Sequence, residues 1–173
     1  MSAVMDNILA RHSTRVFTDQ PVEQEKLEEI VKAAVWAPSG NNAQSWHFIM
    51  MSNVEKIQEL AAAVRKATGS PATYNFYGPT AFLIISGERD NRNAALDAAA
   101  ALENALLAAT DLGVGSCWIN QVRDVCDDPE VRALLTGYGL PESHQVWTAA
   151  SLGYAAKEPV VHKRKPGTVS YVR

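Results

Sequence analysis

Cysteine is scarce in this sequence, which contains only Cys117 and Cys126. Two cysteines at this spacing form neither the framework of a disulfide-rich domain nor a CxxC or Cys/His metal pattern. The four histidines are far apart and have no cysteine or carboxylate at ligand spacing: His12, His47, His144 and His162. We therefore expect no metal site, and unpaired thiols are typical of a cytoplasmic protein.

An excess of charge and a long hydrophobic run are also missing. The 173 residues include 16 basic and 19 acidic side chains, and the formal net charge is −3. No apolar run approaches the roughly 20 residues that span a bilayer, and Asp6 and Asn7 interrupt the N-terminal pattern of a signal peptide. The chain is 47% hydrophobic and 20% charged. We therefore expect one globular domain over residues 1–173 that binds neither nucleic acid nor a membrane.

Familiar catalytic motifs are absent as well. Ser39 lies outside any G-x-S-x-G motif, and the segment from Gly113 to Ser116 is too short for a nucleotide-binding fingerprint. No pair of carboxylates lies at the ends of predicted strands. Three polar clusters remain, at residues 11–15, 39–44 and 162–165, and two of them are cationic. Such clusters suit an anionic ligand with a flat heteroaromatic part.

Hydrophobic periodicity predicts helices that alternate with buried strands. The predicted helices cover residues 3–11, 22–36, a segment after the capping-box sequence Ser52–Glu55, 94–112 and 128–137. The predicted strands cover residues 46–51, 81–85, 117–119, 145–153 and, at an edge, 169–172. Nine of the sixteen residues from Ala94 to Ala109 are alanine, so this helix should be buried on nearly all sides. That indicates either a second subunit against the helix or the core of a monomer.

The stretch from Ala37 to Phe48 connects the clearest predicted helix to a strand. Pro38 ends the helix, and Gly40 permits a positive φ and a close approach of a ligand to the backbone. Four further residues supply more hydrogen-bonding groups than a turn requires: Ser39, Asn41, Asn42 and Gln44. Taken alone, this is an ordinary polar loop. The cluster Arg11–Arg15, on the other side of the same helix, favours a binding site.

The segments Arg11–Phe17 and Ala37–Phe48, with the helix between them, resemble the FMN-dependent nitroreductase family in order and spacing. The resemblance covers essentially the whole chain, because it extends to Gly78-Pro79, the alanine-rich helix ending in Leu112–Ser116, Leu152–Tyr154 and Arg164–Pro166. It implies an α+β fold with a central, mostly antiparallel β-sheet flanked by helices. It also implies an intertwined homodimer with one FMN in each of two sites at the subunit interface.

The resemblance assigns roles to particular residues. Arg11, His12 and Ser13 resemble the contacts to the flavin phosphate and ribityl chain, and Arg15 resembles the cation at the pyrimidine edge. The other subunit would supply Pro38, Ser39, Gly40, Asn42 and Gln44. The ring, from its dimethyl side to N5, would lie against the backbone of Trp118, Ile119, Asn120 and Gln121. Arg164 would return to the phosphate.

The implied function is that of an FMN-dependent NAD(P)H oxidoreductase. Hydride would pass from NADH or NADPH through flavin N5 to a small planar acceptor of the nitroaromatic or quinone type, by a ping-pong route. No side chain is expected to act as an acid, base or nucleophile, because the flavin carries the chemistry. The alternative is an FMN-binding or flavin-handling protein without significant NAD(P)H-driven turnover.

Several points stay open at this stage. The sequence does not identify the physiological acceptor, the preferred nicotinamide or the number of electrons transferred per step. Asn75 is either a turn residue or a flavin contact. His162 stands where the family has a lysine, which makes Lys163 an alternative contact to the phosphate.

Overall fold

The computed structural model describes residues 2–158, 160, 164–165 and 167–173. Within them lie six α-helices: α1 (Ala3–Ala10), α2 (Gln24–Val35), α3 (Val54–Thr68), α4 (Ala94–Asp111), α5 (Gln121–Asp124) and α6 (Pro129–Gly137). The same residues form four strands: β1 (Trp46–Met51), β2 (Ala81–Glu88), β3 (Gly115–Ile119) and β4 (His144–Gly153). A short 3-10 turn covers Gly40–Asn42.

The four strands form one antiparallel sheet in the order β1-β2-β4-β3. β2 and β4 are the central strands, and β2 is buried from Ala81 to Gly87. The register between these two strands shifts between Ile85 and Ser86. β1 and β3 are the edges. The predicted α+β fold with a central antiparallel sheet is therefore confirmed.

Helices cover both faces of the sheet and enclose two hydrophobic cores. One core joins the sheet to α3, α5 and α6, and it includes Phe82 and Ile84 of β2. The other joins the sheet to α2 and α4, and it includes the intervening residues Leu83 and Ile85. This alternation follows from the strand geometry, in which successive side chains point to opposite faces. The arrangement has three layers: helices, sheet and helices.

Helix capping explains where two of the helices begin. Asp128 caps α6 by accepting hydrogen bonds from the amides of Glu130 and Val131, and Pro129 follows as the first helical residue, as predicted. The predicted capping box at Ser52 was wrong by one residue. Asn53 is the N-cap of α3, because its side chain accepts from the amide of Lys56.

The C-terminal segment differs from its prediction. Residues 169–172 form no strand, and Tyr171 and Val172 are 81% and 99% exposed. A strand needs hydrogen-bonding partners on a neighbouring backbone, and no sheet edge of this chain pairs with the described part of the tail. Across the described residues, no helix combines the length and the apolar character that a bilayer crossing requires.

Candidate functional site

The first polar cluster, Arg11–Arg15, lies along the outer edge of β3. Ser13 forms a parallel bridge with Ser116, and the amide of Thr14 donates to the carbonyl of Ser116 at 2.8 Å. Gly115 makes this approach possible, because a Cβ atom there would lie 2.7 Å from the Thr14 hydroxyl. Arg15 lies close to Cys117 of β3, the residue before Trp118. The Arg11–Arg15 cluster and the strand that leads into the predicted segment Trp118–Gln121 therefore meet at one sheet edge.

The side chains of this edge present a cationic and aromatic surface. Thr14 points inward and is buried, whereas Ser13 and Arg15 are exposed. The guanidinium carbon of Arg15 lies 5.9 Å from the centre of the Tyr77 ring, within cation–π range. Trp118 is 40% exposed. A bound planar group could cover these rings while its anionic part faces the arginines.

Arg11 sits at the C-terminal end of α1 and faces α4. Its Nε atom lies 3.8 Å from a carboxylate oxygen of Glu103, and its side chain is only 18% exposed. His12 contacts the carbonyl of Ala10 through Nδ1 at 3.0 Å. Residues 11–15 contain two arginines and no acid, so the cluster keeps a net positive charge even after Glu103 is counted. The donor set fits an anion such as a phosphate.

Cys117 lies directly beneath this surface and is buried. Burial raises the pKa of the Cys117 thiol, and the nearby Arg15 acts in the opposite direction without overcoming it. A thiol with a raised pKa is a poor nucleophile. Cys117 therefore serves as a small hydrophobic residue of the core rather than as a reactive group.

The residues from Trp118 to Gln121 connect β3 to α5. The indole N–H of Trp118 donates to Oδ1 of Asn120 at 2.9 Å. Ile119 is 2% exposed, and its side chain belongs to the core, so only its backbone is available to a ligand. Asn120 is the N-cap residue of α5, and Gln121 is its first residue. The structure thus keeps these four residues next to the Arg11–Arg15 edge.

The second polar cluster, the loop from Pro38 to Gln44, lies elsewhere. Asn41, Asn42 and Gln44 have positive φ angles of 56°, 55° and 48°. The amide of Gln44 donates to the hydroxyl of Ser39 at 3.1 Å, and its side-chain amide donates to Asn42 at 2.8 Å. Pro38, Asn42 and Gln44 are exposed. The loop is a tight, outward-facing turn.

The two clusters contact different parts of α4. The loop reaches Asp97, through the amide of Gly40, whereas Arg11 reaches Glu103. Six residues of helix separate these contacts by about 9 Å along the axis and about a third of a turn around it. Among the described residues, no hydrogen bond or ion pair joins the loop to the Arg11–Arg15 edge. The two clusters are therefore attached to α4 at separate places.

Half of the third predicted cluster, residues 162–165, lies outside the residues that the structure describes. His162 and Lys163 fall outside the described residues. Arg164 is described and is exposed, and no hydrogen bond or ion pair links it to Arg11 within the described part of the chain. Its predicted contact with a phosphate stays a prediction, as do the roles of the other predicted site residues.

Two residues near the clusters were missed at the sequence level. Tyr77 stacks over Arg15, and its own φ is 70°. Asp97 is buried beneath the Pro38–Gln44 loop. The aromatic run before Gly78 was a usable signal for Tyr77. Nothing in the sequence distinguished Asp97 from other acids, because its partner, Gly40, lies 57 residues away.

Fold and site together define a class of protein: a three-layer α+β domain with a cationic and aromatic ligand surface at one sheet edge. Among the described residues, no group of histidine, cysteine and carboxylate side chains could hold a metal ion. Residues 8–154 match the model of the nitroreductase family. This chain belongs to the nitroreductase family.

Individual relatives agree with that assignment. A nitroreductase from Bacteroides fragilis, whose crystal structure contains bound FMN, is 37% identical, and the two chains cover each other completely with a TM-score of 0.95. A protein of Archaeoglobus fulgidus with the provisional name NADH dehydrogenase/NAD(P)H nitroreductase is 33% identical over 91% of this chain and 88% of its own. The NADPH-flavin oxidoreductase of Vibrio harveyi is 28% identical over 98% of this chain and 72% of its own.

Proposed function

We propose that this protein is an FMN-dependent NAD(P)H oxidoreductase that works as a homodimer. The observation that carries the proposal is the Ser13–Ser116 bridge, because it brings the Arg11–Arg15 segment, with its two arginines, against β3, the strand that also carries the exposed Trp118. That surface matches FMN, which has a dianionic phosphate and a flat ring system. The FMN bound by the B. fragilis relative and the nicotinamide-linked names of the other two relatives support it.

In this proposal, residues at and near the Arg11–Arg15 edge contact different parts of FMN. Arg11, His12 and Ser13 would hold the phosphate and ribityl chain, with Arg164 as a further phosphate contact. Arg15 would lie at the pyrimidine edge, where a cation favours the negative charge that reduction adds. The backbone from Trp118 to Gln121 would line the ring. No side chain needs to move a proton for hydride transfer.

When bound, FMN supplies N5, the atom that accepts hydride from NADH or NADPH and delivers it to an acceptor. The acceptor in this proposal is a small planar molecule of the nitroaromatic or quinone type, and the two half-reactions follow a ping-pong order. The location we propose is the cytoplasm, which the free thiols of Cys117 and Cys126 support.

The partner subunit completes the site in this proposal. The Pro38–Gln44 loop of one subunit would reach the FMN held by the other, since among the described residues no hydrogen bond or ion pair joins the loop to the arginine edge, and the two contact α4 at different residues. Exposed apolar side chains support an interface: Leu96 of α4 is 72% exposed, Trp36 is 81% exposed, and α1 has no buried residue at all. Such surfaces are typical of subunit contacts.

A visible spectrum of the purified protein, reconstituted with FMN, tests the function. We expect the absorbance of bound flavin and its anaerobic bleaching by NADH or NADPH, followed by recovery when a quinone is added. Protein that takes up no FMN would refute the proposal. Bound FMN that neither nicotinamide bleaches would instead show a flavin-handling protein without turnover.

The dimer is tested separately by size-exclusion chromatography with light scattering. We expect twice the mass of the 18.8 kDa chain, with FMN bound. An FMN-saturated monomer would contradict the shared site.

A further inference from the structure

Asp97 is the only carboxylate that the structure buries among its described residues. The residue is 7% exposed and lies in the first turn of α4. Buried carboxylates are rare in proteins unless another group compensates their charge. No ion pair within the described chain involves Asp97. The positive end of the α4 dipole favours an acid at this place, and one specific hydrogen bond adds to it.

That hydrogen bond joins Asp97 to the loop of the second polar cluster. The amide of Gly40 donates to Oδ1 of Asp97 at 2.9 Å. The other oxygen, Oδ2, is buried without a hydrogen-bond partner. A buried carboxylate that keeps one oxygen unsatisfied is costly. Within the described chain, the hydrogen bond from Gly40 is therefore the specific contact that offsets the cost of burying Asp97.

The loop needs an external anchor because its own conformation is unfavourable. Asn41, Asn42 and Gln44 all occupy the left-handed region of φ, which costs free energy for residues other than glycine, least for asparagine and more for Gln44. Hydrogen bonds inside the loop, such as those of Gln44, do not tie it to the rest of the chain. The ties outward are the Gly40–Asp97 bond and a bond from Asn91 Nδ2 to the Ser45 hydroxyl at 2.7 Å.

Gly40 packs so closely on Asn93 that a side chain at position 40 would force the loop or Asn93 to shift. A Cβ atom at position 40 would lie 2.3 Å from Nδ2 and 2.7 Å from Cγ of Asn93, the residue that precedes α4. The backbone of the loop is therefore fixed at one point by contact with Asn93 and by the bond to Asp97. Both contacts come from the same end of α4.

We infer that Asp97 is a positioning residue, which holds the Pro38–Gln44 loop in the conformation that receives FMN from the partner subunit. The inference rests on the proposed function for its consequence, since the loop is assigned there to the second half of the flavin site. Asp97 itself does not touch the cofactor. It holds the backbone of Gly40 in place, and Gly40 in turn fixes the position of the exposed hydrogen-bonding side chains that follow it in the loop.

Two variants disturb the same bond from opposite ends. Asp97→Ala removes the acceptor, and Gly40→Ala pushes the loop away from Asn93. If either change leaves the loop correctly placed in one molecule out of ten, the apparent Kd for FMN rises about tenfold. Because both act on one contact, the double variant should bind FMN about as weakly as either single variant.

The measurement is quenching of flavin fluorescence during titration of the FMN-free protein. Asp97→Asn keeps an oxygen that accepts from Gly40, so we expect it to restore the Kd to within about threefold of wild type. The control is Glu55→Ala, which removes an exposed first-turn acid from α3, on the opposite face of the sheet. It should leave the Kd unchanged. A merely structural role would not produce this rescue by asparagine.

Hydrogen exchange of the FMN-free protein tests the anchor without the cofactor. Asp97→Ala should increase exchange in a peptide covering residues 36–46 and leave peptides from β2 and β4 unchanged. A wild-type Kd in Asp97→Asn and Asp97→Ala alike, or unchanged exchange in the loop, would overturn the inference. Wild-type protein that binds no FMN would refute the proposed function instead, and the exchange result would still decide whether Asp97 holds the loop.

Discussion

The clearest consequence of the site concerns Arg11 and the phosphate of FMN. Replacing Arg11 with alanine should weaken FMN binding by removing a charge-assisted hydrogen bond, which contributes about 1.5–3 kcal/mol. In the free protein the Arg11 Nε atom already lies 3.8 Å from a carboxylate oxygen of Glu103, whose side chain is about half exposed, and a long ion pair near the surface contributes about 0–1 kcal/mol. The net loss is about 0.5–3 kcal/mol, which corresponds to a rise in Kd of about 2- to 150-fold.

The same contact predicts an opposite effect from Glu103. Glu103→Gln removes the charge that competes with the phosphate for Arg11, so FMN should bind up to about fivefold more tightly. Glu103 is about half exposed, so this change should leave the fold intact. The two variants therefore move the FMN affinity in opposite directions from neighbouring positions.

Riboflavin separates the phosphate contact from every other effect. It has the same ring system and ribityl chain as FMN but no phosphate. Quenching titrations should show that Arg11→Ala weakens FMN binding and leaves riboflavin binding within about twofold of wild type. If Arg11→Ala weakened both ligands equally, Arg11 would support the fold of the edge and would not bind the phosphate.

Three further measurements follow from single contacts. Tyr77→Leu removes the ring over Arg15 and should raise the Kd for FMN about two- to fivefold, whereas Tyr77→Phe keeps the ring and should not. Asp128→Ala removes the N-cap of α6 and should lower the free energy of unfolding in urea by about 1 kcal/mol, with Asp128→Asn closer to wild type. Burial lowers the pKa of His144, whose Nδ1 atom lies 3.2 Å from the Ser86 hydroxyl. The unfolded chain therefore binds more protons than the folded protein, and the free energy of unfolding falls as the pH drops below about 6.5. The stability difference between wild type and His144→Gln should therefore narrow between pH 7.5 and 5.5, and a constant difference would contradict the buried, neutral histidine.

Much of the fold could be predicted from local sequence signals. The strand at 46–51 and the helix after Asp128 have the predicted bounds, because a run of apolar residues and an Asp-Pro cap each determine structure within a few residues. The failure at residues 169–172 has the opposite cause. A segment with high β-propensity forms a stable strand only beside another strand. Whether such a partner strand is available depends on the tertiary structure, which local sequence signals do not describe.

The alanine-rich helix α4 likewise shows which features local sequence predicts and which depend on distant parts of the structure. Its composition predicted burial on nearly all sides, but Leu96 is 72% exposed and Glu103 is about half exposed. The face formed by residues such as Ala98 and Leu102 is buried against α2 and the sheet. The remaining surface is consistent with the second subunit that we propose. The alanine-rich composition of α4 therefore indicated that much of its surface is buried, but it did not indicate which part of the molecule buries each face.

Backbone conformation gives independent support for the placement of the site. In the described chain, the non-glycine residues with positive φ occur in two loops only: Asn41, Asn42, Gln44, Phe76 and Tyr77. Strained conformations of this kind persist where surrounding contacts hold them, and they are frequent at functional sites.

The second of these loops is held as firmly as the first. Phe76 is fully buried, its ring stacks on Phe82 with centroids 4.5 Å apart, and its carbonyl accepts a hydrogen bond from the Ser151 hydroxyl at 2.7 Å. The consequence of that conformation is to turn Tyr77 outward over Arg15. The family resemblance predicts the first loop and Arg15 as parts of the flavin site, whereas the positive φ angles point to the first loop and Tyr77 without it. Two independent lines of argument thus lead to the same two surfaces of the molecule.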